Sequence, residues 1–198
     1  MTSISRLVVA SGNAGKLREL AALLQLLAIE PVAQSVLGVP EPEEPHPTFV
    51  ENALAKARNA ARHTGLPALA DDSGILVPAL GGAPGVHSAR YAGEPRCDAR
   101  NNRKLVELLR AAPNRVAHYY CVIVVLRHAE DPQPLLAEGR WHGEIVLEPR
   151  GAGGFGYDPY FLLPALGVTA AELAPEHKNR ISHRGQALAM LASALKAL

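Results

Sequence analysis

The sequence predicts an α/β fold in which helices flank a mixed, twisted β-sheet, and three observations predict it. A short apolar run, Arg6–Ala10, passes through a glycine turn into a segment with leucines at helical spacing. A second apolar run, residues 66–70, follows a second helical pattern, which gives the strand–helix alternation of this fold class. Two β-rich runs, residues 116–126 and 134–148, then follow each other directly. They interrupt the alternation, so we expect an antiparallel part of the sheet and a cleft between two lobes.

The chain is predicted to open with a strand, a helix and a second strand. The first helix is expected over residues 14–27, because leucines recur on one helix face, at Leu17, Leu20, Leu24 and Leu27. A short strand is expected over residues 29–33. No regular structure is expected over residues 38–47, because proline lacks the N–H that helices and sheets use and this segment contains four prolines.

A second helix is predicted to begin after Thr48. Thr48 and Glu51 have the spacing of a capping box, and the helix is expected to reach about His63, before a glycine and a proline. Further helices are predicted over residues 98–110 and 182–196. The sequence shows no internal repeat, and we expect one domain over residues 1–198.

Composition argues against several classes of function. A net charge of +1 over 198 residues gives no basic field for bulk nucleic-acid or membrane binding. The two cysteines, Cys97 and Cys121, match neither a metal spacing nor a disulfide framework. The N-terminus lacks the pattern of a secretory signal. We therefore expect a cytoplasmic protein that binds neither a nucleic-acid polymer nor a membrane.

The loop Ser11–Lys16, between the first strand and the first helix, is rich in backbone donors but differs from a nucleotide P-loop. A P-loop has a glycine five residues before its Gly-Lys pair and a Ser or Thr after the lysine, and this chain has Ala10 and Leu17 there. A lysine in the first turn of a helix is disfavoured by the helix dipole unless an anion binds nearby. The loop therefore predicts an anion site, with a solvated lysine after a glycine turn as the alternative.

An acidic pair, Asp71 and Asp72, is expected where the apolar strand of residues 66–70 ends. Neighbouring strand residues point to opposite faces, so we expect one of the two carboxylates to enter a site. An Asx turn is the alternative. With Glu44 from the proline-rich loop, such a carboxylate would suit Mg²⁺, which accepts one or two carboxylates together with phosphate oxygens. This ion would replace the hydroxyl that the loop lacks.

Two further stretches carry groups suited to a planar or anionic ligand. A Gly-x-Gly-x-x-Gly runs from Gly151 to Gly156, but Pro159 prevents a long helix from following, so a dinucleotide fingerprint is not expected. We expect either a loop that lays Phe155 or Tyr157 against a planar ligand or a surface turn. The second stretch brings basic residues to the predicted start of the last helix, where a ligand rich in acceptors would offset the dipole: Lys178, Arg180, His183 and Arg184.

Five ordered motifs cover nearly the whole chain, and together they resemble the inosine triphosphate pyrophosphatase family. They are SGNAGKLREL, TFVENALAKA, ADDSGILVPALGGAPGVHSARYAG, GGFGYDPYF and KNRISHRGQAL. Members of this family hydrolyse non-standard purine nucleoside triphosphates such as ITP, dITP and XTP. The resemblance implies two lobes around a central nucleotide-binding cleft, a homodimer and Mg²⁺ as the cofactor.

The resemblance also implies roles for individual residues. Catalytic roles fall to Asp72, Lys16 and Lys56, and the metal would be bound by Glu44 and Asp72, with Glu43 as the alternative to Glu44. Substrate contacts are implied for Ser11, Gly12, Asn13, Ala14, Gly15, Lys16, Asn52, Ser73, Phe155, Gly156, Tyr157, Asp158, Lys178, His183 and Arg184.

The reaction that follows is attack of water on the α-phosphorus, which releases a nucleoside monophosphate and pyrophosphate. The two lysines would stabilise charge on the departing group, and Asp72 would orient or deprotonate the water. Two other functions stay open: a pyrophosphatase for pyrimidine or modified nucleotides, and a nucleotide-sensing module without turnover. The presence of Asp72, Glu44 and both lysines disfavours the second.

Overall fold

The described part of the chain forms a seven-stranded sheet with five α-helices. The computed structural model describes residues 4–196. The strands are β1 (Arg6–Val9), β2 (Glu30–Ala33), β3 (Ala68–Leu76), β4 (Val116–Leu126), β5 (Leu135–Ile145), β6 (Phe161–Leu163) and β7 (Val168–Thr169). The helices are α1 (Ala14–Leu26), α2 (Phe49–Thr64), α3 (Asp98–Leu109), α4 (Pro175–Ile181) and α5 (His183–Lys196).

The sheet is mixed, with the strand order β2-β1-β3-β4-β5-β6-β7. Both β2 and β3 run parallel to β1, and β6 runs antiparallel to β5 and to β7. The two long β-rich runs are neighbours, as predicted. The predicted α/β class with a mixed sheet is therefore confirmed.

Helix starts follow the local signals in the sequence. The Thr48 hydroxyl accepts the N–H of Glu51 at 3.3 Å. At its other end α2 stops at Thr64 and is capped by Gly65, whose φ of 66° suits a residue without a Cβ. The first, second and third helices match their predicted bounds within one or two residues. Among residues 4–196, no helix is both long and apolar enough to cross a membrane.

Two local expectations were wrong. Asp71 and Asp72 do not end a strand, because β3 continues through them to Leu76. The basic stretch does not lie wholly at the start of the last helix, because Ser182, with an extended ψ of 163°, separates two helices. As a result Lys178 and Arg180 belong to the short α4, while the last helix begins at His183.

The chain divides into two compact units. The first comprises the residues up to Asp72, Cys121–Glu138 and the segment from Ala187. Its core consists of apolar side chains from β1, α1, β3, β4 and α5, which include Leu7, Leu20, Leu24, Leu69, Ile123 and Leu191. Burial of this apolar surface stabilises the elements that carry the loop before α1.

The second unit comprises Ser73–Tyr120 and Gly139–Gln186. Its core is richer in rings and includes Ile75, Leu105, Leu109, Tyr119, Trp141, Tyr157 and Phe161. Buried aromatic pairs prefer defined offset or edge-to-face geometries, which fixes the positions of the side chains around them.

Candidate active site

The loop before α1 is organised by Asn13. Its Oδ1 accepts the backbone N–H groups of Gly15 at 2.9 Å and Lys16 at 3.1 Å, so Asn13 is the N-cap of the helix. The N–H of Asn13 is in turn donated to the Ser11 hydroxyl at 3.3 Å. Two of the donors that the sequence predicted for an anion are thus bonded to the cap. Ala14 begins the helix, and its side chain lies outside the described part of the chain.

Gly12 lies directly against a carboxylate from the proline-rich loop. A Cβ placed on Gly12 would come within 1.8 Å of Glu41 Oε1. A side chain at this position would displace the carboxylate end of the Glu41 side chain, which is itself exposed. An acidic group therefore lies beside the loop that the sequence predicted to bind phosphate.

Lys16 and Asp71 form a buried ion pair. The Lys16 Nζ lies 2.9 Å from Asp71 Oδ2, and the side chains are 15% and 0% exposed. Asp71 was expected to point away from the site if Asp72 entered it. The structure shows that Asp71 contacts Lys16. This ion pair explains how β3 tolerates an acidic residue at a fully buried position.

Lys56 joins two further carboxylates. Its Nζ lies 2.8 Å from Glu44 Oε1 and 3.4 Å from Asp72 Oδ1. Glu44 is half-buried, whereas Glu43 is exposed, so the structure favours Glu44 over Glu43 as the glutamate of this site. We call Lys16, Lys56, Glu44, Asp71 and Asp72 the carboxylate–lysine cluster; all five belong to the first unit.

Charge and burial oppose each other in this cluster. Burial raises the pKa of Asp72, and the positive charges of Lys56 and Lys16 offset only part of that rise. For Lys56, burial by itself lowers the pKa, but the carboxylates of Asp72, Asp71 and Glu44 outweigh it, so the pKa is raised overall. Lys56 therefore stays protonated at neutral pH, and Asp72 holds a proton more readily than an ordinary aspartate.

The donor set fits Mg²⁺. Glu44 and Asp72 converge on one cation, the Lys56 ammonium, and both offer the hard oxygen ligands that Mg²⁺ prefers. Within the described residues there is no group of three or more His, Cys, Asp or Glu side chains that could hold a metal. Mg²⁺ needs only one or two protein carboxylates, because water and substrate phosphates complete its coordination.

Asn52 is buried behind the proline-rich loop. Its Oδ1 accepts the backbone N–H of His46 and its Nδ2 donates to the His46 carbonyl, both at 3.1 Å. These bonds use one of the two Nδ2 hydrogens, so they hold the side chain against the loop without by themselves preventing the phosphate contact that the resemblance implies for Asn52.

In the second unit, the glycine-rich loop is folded around Asp158. Asp158 Oδ2 accepts the backbone N–H of Phe155 at 2.7 Å and contacts Lys178 Nζ at 2.5 Å. The Lys178 ammonium also lies 4.7 Å from the centroid of the Phe155 ring, which is a cation–π contact. Phe155 is 42% exposed, so one aromatic ring is available for stacking.

Of the two aromatic residues that the sequence offered for stacking on a planar ligand, the structure favours Phe155 over Tyr157. Tyr157 is buried and donates its hydroxyl to the Ser88 carbonyl at 2.8 Å, so it supports the loop from inside. The backbone of Gly156, with φ of 62°, donates to Asp98 and accepts from Asn102, each at 2.8 Å. Sequence reasoning missed Asp98 and Asn102; their spacing of four residues on one helix face was the available signal.

His183 and Arg184 are both buried. The His183 ring stacks on Tyr119 with centroids 4.7 Å apart and planes 8° apart, and Trp141 lies 6.4 Å from it. The Arg184 guanidinium donates to the Ser73 hydroxyl at 3.1 Å. The Tyr119 hydroxyl donates to Asp158 at 3.4 Å. No motif in the sequence indicates this role for Tyr119.

We call Phe155, Asp158, Lys178, His183 and Arg184 the aromatic–basic cluster; all five belong to the second unit. A cavity of about 700 Å³ lies between α3 and the glycine-rich loop of the same unit and is lined in part by Phe155 and Gly156. Its volume is typical of a small-molecule pocket. The other four cluster residues do not line it, so the cavity alone does not define a ligand site.

Comparison with known proteins adds a family and close relatives. A model of the Ham1 family matches residues 7–194. A protein named dITP/XTP pyrophosphatase from Nitrosomonas europaea is 67% identical over 192 residues, covering 97% of this chain and 95% of the relative. A protein of the same name from Bordetella pertussis is 65% identical over 198 residues, covering 98% and 93%.

Solved structures agree with these matches. A HAM1 protein from Coxiella burnetii has a TM-score of 0.94 and 51% identity, covering 98% of this chain and 99% of that one. The Staphylococcus aureus Ham1 protein has a TM-score of 0.88 and 37% identity, covering 97% and 98%.

Proposed function

The chain belongs to the Ham1 family, and on that premise we propose that it hydrolyses non-standard purine nucleoside triphosphates, namely dITP, XTP and ITP, to the monophosphate and pyrophosphate. The family that the five motifs predicted is confirmed. The observation that carries the proposal is the carboxylate–lysine cluster beside the capped start of α1, which combines two cations with acidic groups suited to a metal.

The carboxylate–lysine cluster would bind the triphosphate. Lys16 and Lys56 would exchange their carboxylate partners for phosphate oxygens, and their charge would stabilise the departing pyrophosphate. Mg²⁺ held by Glu44 and Asp72 would neutralise charge on the phosphate oxygens.

Water would attack the α-phosphorus in line with the bond to the bridging oxygen. A new P–O bond forms to the water oxygen, the bond between the α-phosphorus and the α–β bridging oxygen breaks, and pyrophosphate leaves. Asp72 would accept the proton of the water. A carboxylate whose pKa burial has raised is a stronger base than an ordinary aspartate.

The aromatic–basic cluster would bind the purine. Phe155 would stack on any purine ring, and Arg184 would donate to the 6-keto oxygen that hypoxanthine and xanthine carry. Adenine presents an amino donor there, which would leave the guanidinium unpaired. Guanine keeps the keto group, so rejection of GTP must depend on the surroundings of the purine 2-position.

A substrate panel tests the proposal. The purified protein is incubated with ITP, dITP, XTP, ATP, GTP, dTTP and UTP, with Mg²⁺ or with EDTA, and pyrophosphate and monophosphate are quantified. We expect rapid Mg²⁺-dependent turnover of the first three. Preferred turnover of dTTP or UTP would support the pyrimidine alternative, and binding of ITP without turnover would support a sensing module.

The proposal also includes a homodimer, which the resemblance implies, and a cytoplasmic location. Light scattering coupled to size-exclusion chromatography tests the first, and we expect twice the mass of 21.0 kDa. A monomer at micromolar concentration would contradict it. Fractionation of cells that produce the protein tests the second.

A further inference from the structure

The proline-rich loop that carries Glu44 has few means of ordering itself. Residues 38–47 contain four prolines, none of which has an N–H to donate, and no helix or strand lies within residues 40–47. Buried or half-buried backbone of this kind needs partners from elsewhere. Side chains of a neighbouring regular element can supply such partners.

One face of α2 supplies those side chains. Asn52, Lys56 and Asn59 follow the spacing of one helix face, and each contacts the loop. Asn52 bonds the backbone of His46, Lys56 contacts the Glu44 carboxylate, and Asn59 donates to the Pro40 carbonyl at 2.8 Å. Helix and loop are thus joined at three points within the first unit.

The Asn52 contact is the strongest candidate among these for fixing the loop. Asn52 is 1% exposed and uses both ends of its amide on the backbone of a single residue. His46 stands between Pro45 and Pro47, so its N–H is the one backbone donor of that tripeptide. Asn59, by contrast, makes an exposed bond at the far end of the loop.

We propose that Asn52 is a positioning residue for Glu44: it fixes the loop so that the Glu44 carboxylate meets Asp72 at one metal site, and it does not contact the substrate phosphates. Glu44 lies two residues from the bonded His46, so losing the Asn52 amide frees the segment that carries the carboxylate. This inference rests on the proposed function for its metal, but its structural part does not depend on turnover.

Asn52→Ala tests the proposal with two measurements. Hydrogen exchange of the peptide over residues 40–48 reports the loop, and we expect faster exchange once the His46 N–H loses its acceptor. In steady-state turnover of ITP, we expect the half-saturating Mg²⁺ concentration to rise about tenfold. The KM for ITP at saturating Mg²⁺ should stay within about twofold, because no phosphate contact is lost.

Two matched variants separate the amide bond from general damage. His46→Ala keeps both bonds, because they use backbone atoms, and should leave exchange and the Mg²⁺ requirement as in wild type. Asn59→Ala makes the same substitution on the same helix face but removes one exposed bond, so its effects should be smaller than those of Asn52→Ala. If Asn52→Ala does not fold, Asn52→Ser keeps a polar group that cannot reach both His46 atoms, and it carries the same expectations.

Unchanged loop exchange would overturn the proposal, and so would a raised KM for ITP at an unchanged Mg²⁺ requirement, which would make Asn52 a phosphate contact. Failure of wild-type protein to hydrolyse any nucleotide would instead refute the proposed function. The inference would then be decided by loop exchange together with the Mg²⁺-induced shift in Tm of the nucleotide-free protein, compared between wild type and Asn52→Ala.

Discussion

In the carboxylate–lysine cluster, Lys16 and Lys56 form ion pairs with three carboxylates. In the aromatic–basic cluster, the one carboxylate, Asp158, bonds a lysine and a backbone N–H, and His183 is held by ring stacking. Ion pairs between flexible chains can exchange partners when a ligand with stronger charge arrives. Stacked, buried rings cannot rearrange so easily.

The difference indicates two kinds of recognition. The first cluster holds its cations and anions ready for a charged ligand and a metal, at the cost of burying charge. The second holds a fixed arrangement of planar and donor groups suited to one ring shape. Changes in the first should therefore alter catalysis and phosphate affinity, and changes in the second should alter the choice of base.

The largest effect is expected from Asp72→Asn, which keeps the size of the side chain and removes its negative charge. Turnover of ITP should fall by a factor of about 100 or more, because the proposed base and a metal ligand are lost together. The measurement is kcat, with circular dichroism as a check on folding. Asp71→Asn is the matched control, and a larger loss there than at Asp72 would reverse the two assignments.

Lys16→Ala and Lys56→Ala should each weaken ITP by about 10- to 100-fold, the range for losing a hydrogen bond to a charged group. Inosine monophosphate should be weakened far less, because it lacks the β and γ phosphates. Competition binding measures both ligands. Lys178→Ala, from the aromatic–basic cluster, is the control and should weaken the binding of both ligands equally. An equal loss for both ligands in Lys16→Ala or Lys56→Ala would show that the substituted lysine does not face the distal phosphates.

Arg184→Ala should reduce ITP turnover and narrow the ITP-to-ATP ratio of kcat/KM by about tenfold or more, since an unpaired buried donor no longer penalises adenine. The ITP-to-GTP ratio should change much less, because both bases carry the 6-keto group. Arg180→Ala, on the exposed face of α4, is the control. An unchanged ITP-to-ATP ratio would refute the assigned role.

The smallest expected effect is a change with pH in the free energy of unfolding of the metal-free protein. Burial raises the pKa of Asp72 in the folded state, whereas an aspartate in the unfolded chain has a pKa of about 3.9. The folded state therefore keeps this proton to higher pH, so the carboxyl costs stability as pH rises through the interval between the two pKa values. The free energy of unfolding of wild type, relative to that of Asp72→Asn, should therefore fall as pH rises above about 4.

Urea unfolding of both proteins in EDTA, at a series of pH values, provides the comparison. A difference that is independent of pH would contradict the raised pKa of Asp72.

Local signals in the sequence were enough to predict the helices whose ends depend on neighbouring residues. The capping residues Thr48 and Glu51 and the leucine spacing of α1 gave two helices nearly to the residue. The same local reasoning failed at Asp71 and Asp72, where acidic residues indicated the end of a strand. Lysines from two other elements form ion pairs with them inside β3, and such pairing is visible only in three dimensions.

The candidate site shows the same limit. Motif resemblance selected every residue of both clusters except Asp71, which only the structure shows paired with Lys16. It did not select Tyr119, Asp98 or Asn102, which act through packing and through the backbone of Gly156. It also could not show that the Asn52 amide is engaged by His46, because the partner lies in a loop without regular pattern.

The stacked rings around His183 have a spectroscopic consequence. Trp141 is the one tryptophan of the chain, and it is buried beside that imidazole. Its fluorescence therefore comes from a single position next to the residues proposed to read the base. We expect the emission to change when inosine monophosphate is added and to stay constant when pyrophosphate is added. The natural sequence thus supplies an intrinsic optical probe that distinguishes occupation by a purine from occupation by phosphate, without a label and without turnover.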